Sequence, residues 1–293
     1  MQPLHSQQNS ALMHSLDSYA GGSGGAPIGI FDSGVGGLSV LRAVRAQMPA
    51  ESILYLGDQG HVPYGPRSMR EVQAFSHEIT RFLLAKGARL IVVACNAASA
   101  AALVYLRQTF PHVPFVGMEP AVKPAAEQTR SGLVGVLATP ATFQGALYAS
   151  VLERFAQGVT VIQDTCPGLV QQIEAGDLSS PTTEAILRQA LQPMLERGID
   201  TVVLGCTHYP FVIPLIEQIV GKNVRVIDPA PAVARQVRRL LESQANPHPA
   251  QAGSVFQYYT TADAGSFERL LPQLLGQTGE VSALRWQNGK LTD

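Results

Sequence analysis

From Ile28 onward, short apolar runs alternate with longer stretches in which apolar residues recur every three or four positions. The short runs have strand length, are rich in β-branched residues and lie between Gly, Pro, Asp or Asn: GIF, ILYL, LIVVA, PFVG, LVGVLA, VTVI, TVVLG and VRVI. The longer stretches predict amphipathic helices, one with apolar positions at Val72, Phe75, Ile79, Phe82 and Leu83, another with Ile186, Leu187, Ala190, Leu191 and Leu195. Strands that are apolar on both faces and alternate with helices predict parallel sheets covered by helices.

The chain contains a repeat of its own pattern. Lys86-Gly87 precedes a strand that ends at Cys95, and Arg197-Gly198 precedes a strand that ends at Cys206, at an offset of 111 residues. Earlier in each copy, the strand that ends at Asp32-Ser33 matches the strand that ends at Ala138-Thr139, and the strand that ends at Asp58 matches the one that ends at Asp164. The agreement of strand order, helix position and cysteine position predicts two similar α/β halves.

The two cysteines stand where strands of open parallel sheets should end, which is the edge where such sheets bind ligands. Cys95 precedes the helix-forming segment AASAAALVYL, and Cys206 precedes a segment that predicts a helix from about Phe211, with Pro214 near its first turn. We therefore expect each thiol near a helix N-terminus, where the positive end of the dipole favours a thiolate.

If the halves face each other, their cleft holds one thiol on each side. One thiol could remove a proton from one face of a carbon while the other returns a proton to the opposite face, which inverts a stereocentre. The alternative for either cysteine alone is a small buried hydrophobe. The equivalent placement of the pair, beside the polar residues Asn96, Thr207 and His208, favours chemistry, whereas Cys166 has no repeat partner and is predicted to fill the core or a loop.

Composition sets the class of protein. Hydrophobic residues make up 46% of the 293 residues, mean hydropathy is +0.10 and only 15% of residues are charged, so much of the chain must be buried. The net charge of −1 indicates no electrostatic surface for nucleic acid or an acidic membrane. We find no apolar run long enough to span a bilayer and no signal-peptide pattern, and three cysteines fit a reducing cytoplasm. Residues 1–26 are rich in Gln, Ser, His and Gly and predict a flexible tail.

At these residues the sequence resembles the glutamate racemases, in the cofactor-independent aspartate/glutamate racemase superfamily. The resemblance covers the chain from about Ile28 to the C-terminal region. It rests on several long motifs in order: GIFDSGVGGLSVL, YLGDQGHVPYG, VVACNAAS, GVLATPATF, CPGLVQQIEAG, VVLGCTHYP and VIDPAPAVA. It implies racemisation of glutamate by two acid/base groups, without cofactor or metal, with a product that supplies peptidoglycan synthesis.

Carried over by motif, the resemblance implies a role for particular residues. Cys95 and Cys206 would be the two acid/base thiols, with Asp32 near the first and with His208 and Glu174 near the second. The substrate would be held by residues that include Asp32 and His208, and also by Ser33, Tyr64, Gly65, Asn96, Ala97 and Thr207. Hydroxyls, an amide and backbone N–H groups suit carboxylate oxygens. Asp58 is expected to organise the loop that contains Tyr64.

One position departs from the family pattern. The family usually has Thr directly after the CN pair, and here the residue is Ala97. The backbone N–H is kept, but a hydroxyl donor worth about 0.5–1.5 kcal/mol is lost.

The repeat and the resemblance together predict the domain limits. The first lobe would contain residues 27–119 and 232–293, and the second lobe residues 120–231. The fold class is therefore α/β, with two pseudo-symmetric doubly wound lobes, mostly parallel sheets and an active site in the cleft between them. The resemblance also implies a homodimer.

Other functions remain open on the residues alone. The segment GVGGLS follows a strand, but Ser39 stands where a dinucleotide-binding fingerprint has its third glycine. Cys95, Cys206 and His208 could bind zinc, yet the sequence shows no obvious fourth ligand. A pyridoxal enzyme would need one of the four lysines, none of which lies in a cofactor motif. Aspartate racemase is the nearest alternative, and a two-lobed amino-acid-binding protein is an alternative of another class.

Overall fold

The computed structural model describes residues 25–243 and 254–293. The predicted tail lies outside the described residues except for Gly25 and Ala26. The strands are β1 (Ile28–Asp32), β2 (Ile53–Gly57), β3 (Leu90–Val93), β4 (Phe115–Gly117), β5 (Leu133–Ala138), β6 (Thr160–Asp164), β7 (Thr201–Gly205), β8 (Arg225–Ile227), β9 (Phe256–Thr260), β10 (Val281–Ala283), β11 (Arg285–Gln287) and β12 (Lys290–Thr292). All eight apolar runs of the sequence contribute to these strands.

The helices of the described residues lie mostly between consecutive strands. They are α1 (Leu38–Gln47), α2 (Met69–Ala85), α3 (Asn96–Thr109), α4 (Val122–Gln128), α5 (Pro140–Gln144), α6 (Ala146–Phe155), α7 (Leu169–Glu174), α8 (Pro181–Glu196), α9 (Ile213–Val220), α10 (Ala230–Glu242) and α11 (Ala264–Leu275). Two 3₁₀ turns, Gln59–His61 and Tyr209–Val212, follow β2 and β7 respectively. None of the helices described is long and apolar enough to cross a lipid bilayer.

The strands form two parallel sheets and a small antiparallel hairpin. The six-stranded sheet has the order β10-β9-β2-β1-β3-β4, and the four-stranded sheet has the order β6-β5-β7-β8. Numbered within each copy of the repeat, both sheets contain the order 2-1-3-4, so the predicted pseudo-symmetry is present in the topology. The sequence did not predict that β9 and β10 extend only the first sheet. The lobe limits at 119/120 and 231/232 remain a proposal.

The strands of both sheets bury residues on both faces, which explains their unbroken apolar runs. In β1, Ile30 faces the largest core cluster and Phe31 faces a second one, and in β7 Val202 and Val203 divide in the same way. The largest cluster contains residues from both sheets and thus connects the lobes. The other two clusters each lie on one sheet alone.

The helix ends follow local sequence signals. α2 begins with a capping box in which Ser68 and Glu71 bond each other's backbone N–H, and α8 begins with Ser180 as its cap and Pro181 in its first turn. Both helices end in the predicted Lys-Gly or Arg-Gly pair, where Gly87 and Gly198 adopt φ values of 89° and 87°. Glycine tolerates this left-handed backbone and turns the chain into β3 or β7.

Candidate active site

The carboxyl ends of β1, β3, β5 and β7 meet at one cleft between the two sheets. The residues that line this pocket include most of those that the sequence predicts: Ser33, Tyr64, Gly65, Cys95, Asn96, Ala97, Cys206, Thr207 and His208. Asp32 and Glu174 are not on its lining, and they contact residues that are. The structure therefore brings the two thiols to one pocket, as the repeat predicted.

Cys95 is the N-cap residue of α3, as predicted. Its Sγ accepts a hydrogen bond from the Ala98 N–H at 3.5 Å, and its thiol lies 3.8 Å from the Ser33 hydroxyl. The helix N-terminus, which favours a thiolate here, is opposed by the other surroundings of Cys95. Burial and the negative charge of Asp32 raise the pKa of Cys95 well above its usual value, and the Ala98 hydrogen bond offsets only part of that rise.

Asp32, at the end of β1, is completely buried. One carboxylate oxygen accepts the Gly37 N–H at 2.7 Å and the Thr207 hydroxyl at 3.4 Å, and the other accepts the Ser33 hydroxyl at 3.4 Å. Burial raises the pKa of Asp32, and the positive charge of His208 and hydrogen bonds with the Cys95 thiol and the backbone of Ser33 and Gly37 only partly reverse this. Asp32 thus joins the two lobes and keeps a carboxyl group close to the first thiol.

Cys206 has different surroundings from those that we predicted. The chain after it forms the 3₁₀ turn Tyr209–Val212, and the α-helix begins only at Ile213. Pro210 and Pro214 each occupy the first turn of a helix, the place where a missing N–H is tolerated, so they divide the segment into two short helices. The Cys206 sulfur instead lies 3.6 Å from Nδ1 of His208.

His208 and Glu174 form a buried pair beside the second thiol. His208 Nε2 lies 2.6 Å from a Glu174 carboxylate oxygen. Burial alone would lower the pKa of His208, but its hydrogen bonds and charge interactions with Cys206 and Glu174 raise it well above its usual value. Burial likewise acts to raise the pKa of Glu174, and the hydrogen bonds from His208, Gln59 and Val35 hold it below the usual value. Both shifts favour an imidazolium–carboxylate pair.

The glycine loop after β1 packs directly against this pair. The Val35 N–H donates to Glu174 at 2.8 Å. A Cβ atom on Gly34 would lie 1.8 Å from a Glu174 oxygen, and a Cβ atom on Gly36 would lie 2.4 Å from His208 Nδ1. The glycines therefore allow the close approach of the two lobes, which explains this loop without a dinucleotide.

The loop that contains Tyr64 is organised by Asp58, as predicted. The buried Asp58 carboxylate accepts the Tyr64 hydroxyl at 2.6 Å, the Thr261 hydroxyl at 2.6 Å and the Trp286 indole N–H at 2.8 Å. The Tyr64 hydroxyl is thus engaged within the protein, although the residue lines the pocket.

Two further predicted residues, Asn96 and Thr207, differ in how their polar groups are hydrogen-bonded at the pocket. Both polar atoms of the Asn96 side chain are buried and have no hydrogen-bond partner among the residues that the structure describes. The backbone carbonyl of Thr207 accepts a hydrogen bond from the Ser39 hydroxyl at 2.8 Å, and the Thr207 hydroxyl donates to Asp32. Ala97 lies at the pocket with a methyl group only.

A match to a protein-family model covers most of both lobes. The model is the one described as Asp/Glu/Hydantoin racemase, and it matches residues 36–237. The chain belongs to the Asp/Glu/Hydantoin racemase family. The match includes both cysteines, His208 and Glu174, and Asp32 at the end of β1 and the following Ser33 lie just before its start.

Individual members of this family agree with the chain over almost their whole length. The protein named glutamate racemase from Pseudomonas paraeruginosa is 51% identical over 259 residues, which cover 88% of this chain and 97% of that protein. With such relatives, this family member is an isomerase of the racemase class.

Solved structures of the family share the fold. Glutamate racemase from Escherichia coli, in complex with L-glutamate, superposes with a TM-score of 0.78 at 33% identity, and the match covers 88% of this chain and 97% of that chain. The enzyme from Francisella tularensis, in complex with D-glutamate, gives a TM-score of 0.75 at 28% identity, with coverage of 88% and 96%.

The pocket of this family member also contains residues that the sequence reasoning missed. Pro63, Thr139 and Val170 line it, and Gln59 donates to Glu174 at 2.9 Å. Thr139 could have been found, because it is the repeat partner of Ser33. Gln59 left no such signal. Among the described residues, no group of three or more His, Cys, Asp or Glu side chains is arranged to hold a metal ion.

Proposed function

We propose that the protein interconverts L-glutamate and D-glutamate by transferring protons between the two thiols and the α-carbon. The observation that carries this proposal is the presence of Cys95 and Cys206 in one pocket, at equivalent ends of β3 and β7. Two acid/base groups on opposite sides of one carbon are what inversion of a stereocentre requires. The relatives named glutamate racemase, and the two solved complexes with L- and D-glutamate, support glutamate as the substrate.

The surroundings of the thiols suggest their starting protonation states. Burial and Asp32 hold Cys95 as the neutral thiol, whereas the Cys206 sulfur lies 3.6 Å from Nδ1 of His208. The Cys206 thiolate would take the α-proton of L-glutamate, the electron pair of the broken C–H bond would remain on the substrate, and the Cys95 thiol would donate a proton to the opposite face. Cys95 would then be the thiolate that accepts the α-proton of D-glutamate in reverse.

The α-proton is weakly acidic, so the site must stabilise the charge that develops in the transition state. The N–H groups that begin α3 and the unpartnered Asn96 amide are at the pocket and can contact a substrate carboxylate. Ser33, Gly65, Ala97 and Thr207 are proposed to contribute hydroxyl or backbone groups to the same binding. Tyr64 is proposed to shape the pocket, because its hydroxyl is bonded to Asp58.

The reaction as proposed needs neither metal nor cofactor, and the product would supply peptidoglycan synthesis in the cytoplasm of a cell with a reducing interior. Free thiols are required, since oxidation would remove both acid/base groups. We also propose that the protein is a homodimer, as the family resemblance implies.

The decisive experiment is incubation with L-glutamate in D₂O without added cofactors. Deuterium should enter the α position while optical rotation is lost, and the activity should survive exhaustive chelation. L-aspartate serves as the competing substrate, because one methylene changes binding by only about 1–3 kcal/mol. Failure of exchange with glutamate would overturn the proposal, and faster exchange with aspartate would reassign the substrate.

A further inference from the structure

One first-lobe side chain outside the pocket lining reaches the pair beside Cys206. Gln59 lies in the 3₁₀ turn after β2, and its amide Nε2 donates to Glu174 Oε2 at 2.9 Å. The other end of the same amide, Oε1, accepts the hydroxyl of Thr260 at 2.8 Å. Thr260 ends β9 and is completely buried.

The two oxygens of Glu174 have different partners. Oε1 lies 2.6 Å from His208 Nε2 and accepts the Val35 N–H at 2.8 Å, whereas Oε2 accepts only the Gln59 amide among the described hydrogen bonds. Because a carboxylate bound through both oxygens cannot rotate freely, Gln59 fixes the plane in which Oε1 meets the imidazole. That ring in turn presents Nδ1 to the Cys206 sulfur at 3.6 Å.

We propose that Gln59 is a positioning residue for racemisation, which holds Glu174, and through it His208, in the orientation that serves the Cys206 thiol. Thr260 orients Gln59 by fixing its amide oxygen. This chain of contacts runs from the first sheet to the second, so the Cys206 side of the site is complete only when the lobes are closed. The inference rests on the proposed two-thiol function.

The chemistry of an amide explains why Gln suits this position. Its acceptor end faces a hydroxyl donor and its donor end faces a carboxylate, and no other neutral side chain of this length supplies both. Gln59→Leu removes both bonds. Gln59→Glu keeps the acceptor for Thr260 but places a second carboxylate against Glu174. The other titratable groups around Glu174 are His208, whose ring it contacts, and Tyr55 of β2, on which its charge acts. Asp58 is next to Gln59 in sequence.

The experiment compares kcat, KM and Tm of the full chain and its variants with both glutamate enantiomers. Gln59→Leu should lower kcat about tenfold with KM changed less than about twofold, since a hydrogen bond to a charged group is lost. Thr260→Val should lower kcat about threefold. The double variant should lose about tenfold rather than thirtyfold, because both changes act on the same contact.

The pH profile separates positioning from a general structural role. The kcat deficit of Gln59→Glu relative to wild type should grow with pH, because the two carboxylates share a proton at low pH and repel each other once it is lost. The deficit of Gln59→Leu should stay constant. The matched control is Gln73→Leu, which removes a glutamine bond to the Ala101 carbonyl on α3 that involves none of Gln59, Thr260 and Glu174, and it should retain wild-type kcat.

Three results would overturn the inference: a Gln59→Leu kcat within twofold of wild type, additive losses in the double variant, or a Gln59→Glu deficit that does not change with pH. If Gln59→Leu proves too unstable to assay, Thr260→Val and Gln59→Glu still decide the question. Absence of racemisation in the wild-type protein would instead contradict the proposed function itself.

Discussion

The two thiols of the pocket occupy equivalent places in the repeat and have very different neighbours. Cys95 caps a helix and lies beside a buried carboxyl group, Asp32, in surroundings that favour the neutral thiol. Cys206 precedes a 3₁₀ turn and lies beside His208, which is paired with Glu174. The first thiol has a buried acidic neighbour and the second has a buried basic one.

The repeat shows where this difference lies in the sequence. Asp32 has Ala138 as its counterpart in the second copy, and His208 has Ala97 as its counterpart in the first. Each copy therefore supplies one polar neighbour to its cysteine. At the position equivalent to the polar neighbour of the other copy, it has alanine. The cysteines are kept symmetric while their neighbours are not, so two identical side chains have neighbours of opposite charge type within one pocket.

The first prediction, with the largest expected loss of racemisation, tests whether both thiols are needed. Cys95→Ala and Cys206→Ala should each lower racemisation by about 10³-fold or more, because each removes a proton donor or acceptor with no substitute on that face. Chiral chromatography of product formed from each enantiomer measures this loss. In D₂O, Cys95→Ala should still exchange the α-proton of L-glutamate through Cys206.

Cys166→Ala is the matched control, since Cys166 is equally buried but absent from the pocket lining. It should racemise within about twofold of wild type. Normal racemisation by either active-site variant would contradict the two-thiol mechanism.

The second prediction removes the neighbour of one thiol only. His208→Asn should lower kcat about 10²-fold, because the variant cannot carry a positive charge beside Cys206. Steady-state kinetics with both enantiomers should show equal losses of kcat/KM in the two directions, since the equilibrium constant of a racemisation is one. A kcat within threefold of wild type would mean that the imidazole has no part in the reaction.

The third prediction uses the raised pKa of Asp32, the acidic neighbour of the other thiol. A carboxyl group whose pKa is higher in the folded state stabilises the fold below its unfolded pKa, near 3.9, and this contribution is lost as pH rises through the folded pKa. Asp32→Asn should therefore raise Tm by about 2 °C near neutral pH, and the gain should shrink in acid.

Thermal unfolding from about pH 4 to pH 8 measures this effect, with His208→Asn as the contrasting variant. The raised pKa of His208 gives stability below its unfolded pKa near 6.5, which is lost at alkaline pH, so the Tm deficit of His208→Asn should diminish there. Because both pKa values are raised, the Tm of each variant relative to wild type should rise with pH, from near pH 3.9 for Asp32→Asn and from near pH 6.5 for His208→Asn. A rise that begins at the higher pH for Asp32→Asn would contradict the proposed difference between the two sides.

The smallest effect concerns the alanine that faces the pocket beside Cys95. Ala97→Thr should keep or lower the KM for glutamate by a factor of about three or less, because one neutral hydrogen bond is added. Ala97→Val has similar size without the hydroxyl and controls for shape. A large loss of activity in Ala97→Thr alone would show that position 97 is aligned wrongly with the family pattern.

The sequence alone predicts the pattern of strands and helices, the repeat and the pair of cysteines. These features depend on short segments of the sequence: apolar runs of strand length, a Lys-Gly or Arg-Gly pair at the end of a helix, and a thiol at the end of a strand. The sequence predicts a helix from about Phe211 after Cys206, whereas the α-helix begins at Ile213, because Tyr209–Val212 form a separate 3₁₀ turn. The extension of one sheet by β9 and β10 has no counterpart in the repeat, so the repeat could not predict it.

Only the tertiary structure decides which groups meet. Gln59 is 115 residues from Glu174 and 201 residues from Thr260 along the chain, and the three come together because two sheets close on one another. The pKa shifts have the same origin, since burial and neighbouring charges act through space and not along the sequence. The sequence thus determined that two thiols would end equivalent strands. The packing of the two sheets decided that Glu174 meets His208 beside the second thiol and that Gln59 contacts Glu174.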